Sequence, residues 1–399
     1  MRNLLTILLL LLSVQSGYPQ TDTLPKPSGM YATGVNYISF TDEGRKELFD
    51  NTGEKNREIT VKAWYPADEK TDSEPYLLNA DFAIKYCMFP ELYRNLKTNS
   101  SRDIPISTDK KKYPILIFSH GWGEHFSQNS ILMEELASHG YIVFSIAYHF
   151  ACRYSEYPDG RIHHLDVKSH RFQKIWRELQ NPKSIELMNR MANIGSDKER
   201  VEAFRELSNM VPTGLKESPK YWAEDIHFFL DQLQNINAGN KIFKGRLDLD
   251  KIGVFGMSMG GMASSEISII DSRVKACICI DSGLHGTALD STLKIPLLFM
   301  NSQRFLGYGP LFTSKSLSDC YSLSVKNSGH MNFTDYSLYP SPLAKWVMGT
   351  IDGNRVIEIM NVMVLNFFDK YLREKQDIDI LKESEKFPEI EAVASIKIK

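Results

Sequence analysis

Residues 251–267 read KIGVFGMSMGGMASSEI: an apolar run from Ile252 to Phe255, then Gly256-Met257-Ser258-Met259-Gly260-Gly261, then a helix-compatible stretch. A G-x-S-x-G set between a strand and a helix is the context of a nucleophile elbow. The glycines have a steric reason, since a serine pushed out at the tip of a strained turn leaves no room for side chains beside it. Its hydroxyl then stands at a helix N-terminus, where backbone N–H groups and the helix dipole favour a developing oxyanion. The plainer reading is a glycine-rich turn that only packs a helix on a sheet. Gly261 and the strand in front favour the elbow.

Upstream, Tyr113–Phe118 reads as a buried strand running into Ser119-His120-Gly121-Trp122-Gly123. A helical segment, Asn129–His139, and a second buried strand, Tyr141–Ile146, follow; strand, helix, strand at this spacing argues for a parallel sheet. Before them, Gly34–Phe40 and Arg57–Tyr65 read as an antiparallel edge, and residues 78–95 as a short apolar helix broken at Pro90. Downstream lie strands Val274–Ile280, Ile295–Met300 and Tyr321–Val325, with helices Tyr221–Asn235 and Arg355–Leu372. The expected fold class is α/β: an α/β-hydrolase fold, a mostly parallel sheet flanked by helices. The polar stretch 150–220 interrupts the rhythm and is too long for a plain connection, so it is expected to be a helical insertion capping the active site.

At the start, Arg2 and the apolar run Leu4–Leu12 precede small and polar residues, the pattern of a secretory signal peptide over residues 1–20. The run is too short to span a bilayer. The chain is therefore expected to be secreted or periplasmic, with the hydrolase domain over 21–378 and a charged C-terminal tail over 379–399. The 47 basic and 49 acidic residues balance and form no long run, which argues against nucleic-acid binding. The five cysteines, Cys87, Cys152, Cys277, Cys279 and Cys320, do not form a disulfide scaffold. Cys277 and Cys279 alternate along one strand and read as small core residues. His163, His164 and His170 carry no cysteine or acidic spacing to support a metal site, and no metal or cofactor is expected.

An elbow serine needs a base and an orienting acid, in the chain order Ser, Asp/Glu, His. Val274–Ile280 ends in Asp281, and Tyr321–Val325 runs into a loop carrying His330, so both candidates stand at strand ends. His330 would take the proton of Ser258, while Asp281 would hold the imidazole tautomer and stabilise its charged form. Asp271 precedes its strand and falls at the wrong end of the sheet. His285 lies too close behind Asp281 to reach around to the serine. For the oxyanion hole, the N–H of Met259 follows the nucleophile and the N–H of Trp122 comes from the earlier loop. His120 reads as a brace for that loop, with no part in proton transfer.

These residues resemble the plasma-type platelet-activating-factor acetylhydrolases, also called lipoprotein-associated phospholipases. The resemblance is carried by Phe118–Gly123, Leu136–Val143, the elbow, Ile280-Asp281, Phe299-Met300-Asn301-Ser302 and above all Gly329-His330-Met331-Asn332-Phe333-Thr334-Asp335. It runs from about residue 30 to residue 373. It implies a calcium-independent serine esterase cleaving short or oxidised acyl chains from phospholipid-like esters, with Ser258, Asp281 and His330 as triad and the Trp122 and Met259 amides as oxyanion hole. Met257 stands where the family usually has histidine, Met259 where phenylalanine is frequent, and Trp122 where leucine is common; these changes alter pocket walls and leave the nucleophile chemistry intact. The family meets lipid surfaces through apolar helices, for which Phe82–Leu92 and Ser341–Met348 are candidate counterparts; since half-apolar helices are usually packed ones, both read first as buried lid or core helices. General carboxylesterases, dienelactone hydrolases and cutinase or polyester hydrolases share the elbow. A non-catalytic lipid- or protein-binding descendant is the alternative of another class, against which the intact Ser258, Asp281 and His330 argue.

Overall fold

The computed structural model describes residues 22–47, 54–149, 151–165, 217–284, 291–303, 316–339 and 347–397, with isolated positions in the intervals between. The signal peptide expected over 1–20, His170, His285 and the stretch 341–346 lie outside the described residues. So does most of the expected cap.

Strands β1 (Ala32–Lys46), β2 (Asn56–Ala67), β3 (Ser73–Pro75), β4 (Lys97–Arg102), β5 (Tyr113–Ser119) and β6 (Ile142–Ala147) come before the expected cap segment. After it come β9 (Leu247–Met257), β10 (Val274–Ile280), β11 (Leu297–Ser302), β12 (Cys320–Val325) and β13 (Ile390–Ser395), and all these strands form one sheet in the order 13-12-11-10-9-5-6-2-1-4-3. Strands 5, 6 and 9 to 12 run parallel, which sets their C-terminal ends along one edge. Every residue of β5, β6, β11 and β12 is buried, as a parallel sheet covered on both faces requires.

Alternate residues feed opposite faces. Ile115, Ile117, Val254, Cys277, Cys279 and Phe299 pack under α3 (Ser218–Gly239) and α4 (Met259–Ile270). Leu116, Phe118, Phe255, Ile278, Ile280 and Met300 pack under α2 (Ser130–Ser138) and α5 (Gly353–Leu372). The sequence reading of an α/β-hydrolase sheet is the architecture observed. All five cysteines are buried and unbridged, so Cys277 and Cys279 are core residues as expected. Among the described residues no helix is long and apolar enough to cross a membrane.

Two segments differ from expectation. Of the segment expected as a tail, residues 379–397 are not one: α6 (Ile380–Ser384) leads to β13, which pairs antiparallel with β12 from Cys320↔Ser395 to Val325↔Ile390. The outer edge of β12 would otherwise leave its backbone groups without partners, and a weakly alternating segment suffices to cover it. The described opening of the 150–220 segment is a hairpin, β7 (Tyr154–Glu156) with β8 (Ile162–His164), rather than a helix. The short apolar helix expected to break at Pro90 is present as α1 (Ala80–Tyr86), with a separate 3-10 turn, Glu91–Tyr93, after the proline. Within this stretch Phe89 is buried, whereas Tyr86 and Met88 are 54% and 49% exposed.

Burial pushes the Glu156 carboxyl on β7 up to about 7, against the Asn79 backbone N–H and the Lys62 ammonium. The folded chain thus keeps this proton to higher pH than the unfolded chain, whose carboxyl ionises near 4.5. The stability it contributes is complete below the unfolded value and is lost as pH rises through the folded one. Glu156→Gln should therefore gain stability over wild type between about pH 5 and pH 8, by at most about 3 kcal/mol. Urea midpoints at both pH values measure this; a difference that does not change with pH would contradict it.

Candidate active site

Ser258 stands between β9 and α4 with φ +55° and ψ −120°, a strained conformation for a residue with a side chain. Its N–H donates to the Ile280 carbonyl at 2.9 Å, tying the turn to the end of β10. The turn also leaves no room at residue 260, where a Cβ would lie 2.0 Å from the Ser119 carbonyl oxygen. The sequence reading of an elbow, with glycines set by crowding, matches this geometry. Ser258 and Met259 are half-buried.

Asp281 follows β10 directly, with φ +42°, and its N–H donates to the Met300 carbonyl at 2.7 Å. Its side chain is fully buried. One carboxylate oxygen accepts from the Ser302 N–H at 2.6 Å; the other lies 2.5 Å from Nδ1 of His330. A carboxylate accepts, so Nδ1 carries the proton in this pair and Nε2 is left as the basic nitrogen. The His330 side chain is 31% exposed, whereas its partner carboxylate is fully buried. The structure thus brings the acid and base together at the strand ends beside the serine turn. Asp271, set aside in the sequence reading, pairs with His227 and Arg273 at the other end of β10.

Trp122 lies in the loop after β5, next to the serine: a Cβ on Gly121 would stand 3.7 Å from that of Ser258. Two residues that the sequence reading left without a role hold this loop. Gln128 Oε1 accepts from the Gly121 N–H at 3.0 Å, while its Nε2 donates to Asn129 Oδ1 and to the Met257 sulfur. Asp335 closes the other side. Its carboxylate accepts from the Ser130 and Ile131 N–H groups at 2.7 and 3.3 Å, capping α2, and from the Tyr76 hydroxyl at 2.9 Å. Its own N–H donates to the Gln128 carbonyl at 2.9 Å, and Asn129 Nδ2 donates to the Phe333 carbonyl at 2.6 Å. Asn332, the other polar residue of the motif, accepts from the N–H groups of Gly329 and Gly349 and so shapes the His330 loop. The His-x-Asn-Phe-x-Asp run is therefore a clasp between the histidine loop and the loop before α2. Its signal in the sequence was a polar residue at a fixed offset from the histidine; what each residue grips required the structure.

The family described as platelet-activating factor acetylhydrolase, isoform II, matches this chain over residues 16–387. The platelet-activating factor acetylhydrolase of Canis lupus familiaris is 26% identical over 382 residues, covering 89% of this chain and 79% of that protein. That of Bos taurus is 24% identical over 380 residues with the same coverage. Among solved structures, a ferulic acid esterase from Streptomyces cinnamoneus superposes with a TM-score of 0.69 at 21% identity, over 93% of this chain and 99% of that one. That likeness is one of fold.

Asp335→Ala should leave the Ile131 N–H without its acceptor and reduce the Ser130 N–H and the Tyr76 hydroxyl to their second acceptor, the Ser127 carbonyl, lowering stability by about 1–3 kcal/mol. Urea unfolding measures it. A loss below about 0.5 kcal/mol would contradict the clasp, since that is the range of an ordinary surface substitution.

Proposed function

The chain belongs to the platelet-activating factor acetylhydrolase isoform II family, and from that membership we propose an exported serine esterase acting on short-chain or oxidised acyl esters of phospholipids. Ester hydrolysis itself follows from the family; the substrate class, the export and the residue roles are our reading. The observation that carries it is the Asp281–His330 pair at 2.5 Å, set at the strand end next to the serine elbow.

As Ser258 Oγ attacks the acyl carbonyl, Nε2 of His330 takes its proton. Asp281 holds Nδ1–H, which fixes the tautomer and stabilises the imidazolium. Oxygen becomes negative in the tetrahedral intermediate and is received by the N–H groups of Met259 and Trp122. The bond to the lyso-phospholipid oxygen then breaks, His330 returns its proton to that oxygen, and an acyl-Ser258 ester remains. Water attacks this ester with His330 again as base, releasing the short carboxylic acid and the free serine. Metal has no part in these steps. The exposed Tyr86 at the end of α1 and Met88 just after it are the surface we assign to peripheral contact with lipid.

The test is hydrolysis of a short-acyl phospholipid by wild type and Ser258→Ala, with chelator present. Wild type should turn the lipid over without calcium, and the variant should lose at least about 10⁴-fold in kcat. Turnover of nitrophenyl acetate with none of the phospholipid would keep the triad and move the function to a general carboxylesterase.

A further inference from the structure

A buried histidine stands directly behind the peptide that carries Trp122. His120 follows β5 and is completely buried. Its Nδ1 lies 2.7 Å from the Gly121 carbonyl oxygen, and its Nε2 lies 3.2 Å from the backbone nitrogen of Tyr148. A carbonyl only accepts and a backbone N–H only donates, so the proton sits on Nδ1 and Nε2 accepts. Burial holds the imidazole down at about 4, neutral at ordinary pH, and the two partners select a single tautomer.

The carbonyl of Gly121 and the N–H of Trp122 are the two ends of one planar trans peptide, and they point in opposite directions. Holding the carbonyl therefore sets the direction of the N–H. The same carbonyl also accepts from the Glu124 N–H at 3.1 Å, closing a tight turn in which Gly123 has φ +73°. We propose that His120 is a positioning residue of the oxyanion hole, whose Nδ1–H fixes the Gly121 carbonyl and so aims the Trp122 N–H at the acyl oxygen. This rests on the esterase reading above.

The imidazole is itself held by the aromatic rings beside it. Its ring lies 5.1 Å from that of Tyr148 and 5.4 Å from that of Trp222. Tyr148 and Trp222 stack at 3.9 Å with an interplanar angle of 1°, and the Tyr148 hydroxyl is 2.6 Å from Ser119 Oγ. Trp222 rides on α3, which is pinned to β2 by the buried Arg57–Asp225 pair at 2.6 Å. The direction of one N–H is thus referred back to a packed helix and a buried ion pair.

Two polar, uncharged substitutions separate this role from general packing. The amide nitrogen of asparagine reaches the place of Nδ1, and that of glutamine the place of Nε2. His120→Gln should lose about tenfold or more in kcat on a short aryl ester, with the roughly 10²-fold loss of an oxyanion donor as the ceiling. Its KM should stay within about threefold of wild type, the pattern of an interaction made only in the transition state. His120→Asn should recover most of the lost kcat. Affinity for a trifluoromethyl ketone, whose adduct with the serine carries the oxyanion, should fall and recover in the same order. Equal kcat in both variants, or losses that follow their Tm values, would overturn the proposal. Should neither variant fold, ¹⁵N NMR of the wild-type chain decides: an Nδ1-protonated neutral ring is expected, and an Nε2-protonated or charged ring overturns the proposal. A wild-type chain that hydrolyses no ester defeats the esterase reading and this proposal with it, whereas an active wild type with equal variants defeats the positioning role alone.

Discussion

A Cβ at position 260 would stand 2.0 Å from the carbonyl oxygen of Ser119 and 2.5 Å from that of His120, so the first turn of α4 rests on the end of β5 only because residue 260 is glycine. That contact joins the nucleophile turn to the loop of Gly121 and Trp122. Strand order then does the rest, since β9 lies between β5 and β10. The Ser258 N–H reaches the Ile280 carbonyl and the Asp281 N–H reaches the Met300 carbonyl. Each strand end is therefore tied to the next along the row, and the strained φ of Ser258, which costs about 1–3 kcal/mol, is held by these neighbours.

The histidine comes from farther away in sequence, and more of the chain is spent on placing it. Asn332 shapes its loop, and Asp335 ties that loop to the N-terminus of α2. Through Gln128 the same connection reaches the Gly121 N–H. Acid, base and the Trp122 loop are thus parts of one hydrogen-bonded assembly on the C-terminal edge of the sheet. On the opposite side of the Trp122 loop, Tyr148 and Trp222 back it with a stacked pair.

The parallel core was legible because its strands are buried on both faces and read as unbroken apolar runs, as in Tyr113–Ser119 and Val274–Ile280. The observed α5, Gly353–Leu372, nearly coincides with the helix expected from its periodicity. Edge elements were not legible. Lys97–Arg102 is a polar strand whose Ser100 hydroxyl and Asn99 amide are held by the buried Glu134 carboxylate, a partner that local periodicity does not reveal. Ile390–Ser395 is apolar at Ile390, Ala392, Val393 and Ala394 but shows no clean alternation, and it is ordered by the edge of β12. At the site, residue type and strand end sufficed to select Ser258, Asp281 and His330 as candidates. Gln128 and Asp335 could not be assigned in the same way, because an amide or a carboxylate shows its role only when the backbone groups it satisfies are known.

The central claim is that Ser258 is a nucleophile activated by this assembly. Its most direct measurement is mass spectrometry of the chain after incubation with a fluorophosphonate, which reacts covalently with activated serines. The account predicts one adduct per chain, carried by the peptide containing Ser258, and slow or absent labelling of His330→Ala. No adduct on the wild-type chain, or an adduct on a different serine, would contradict it.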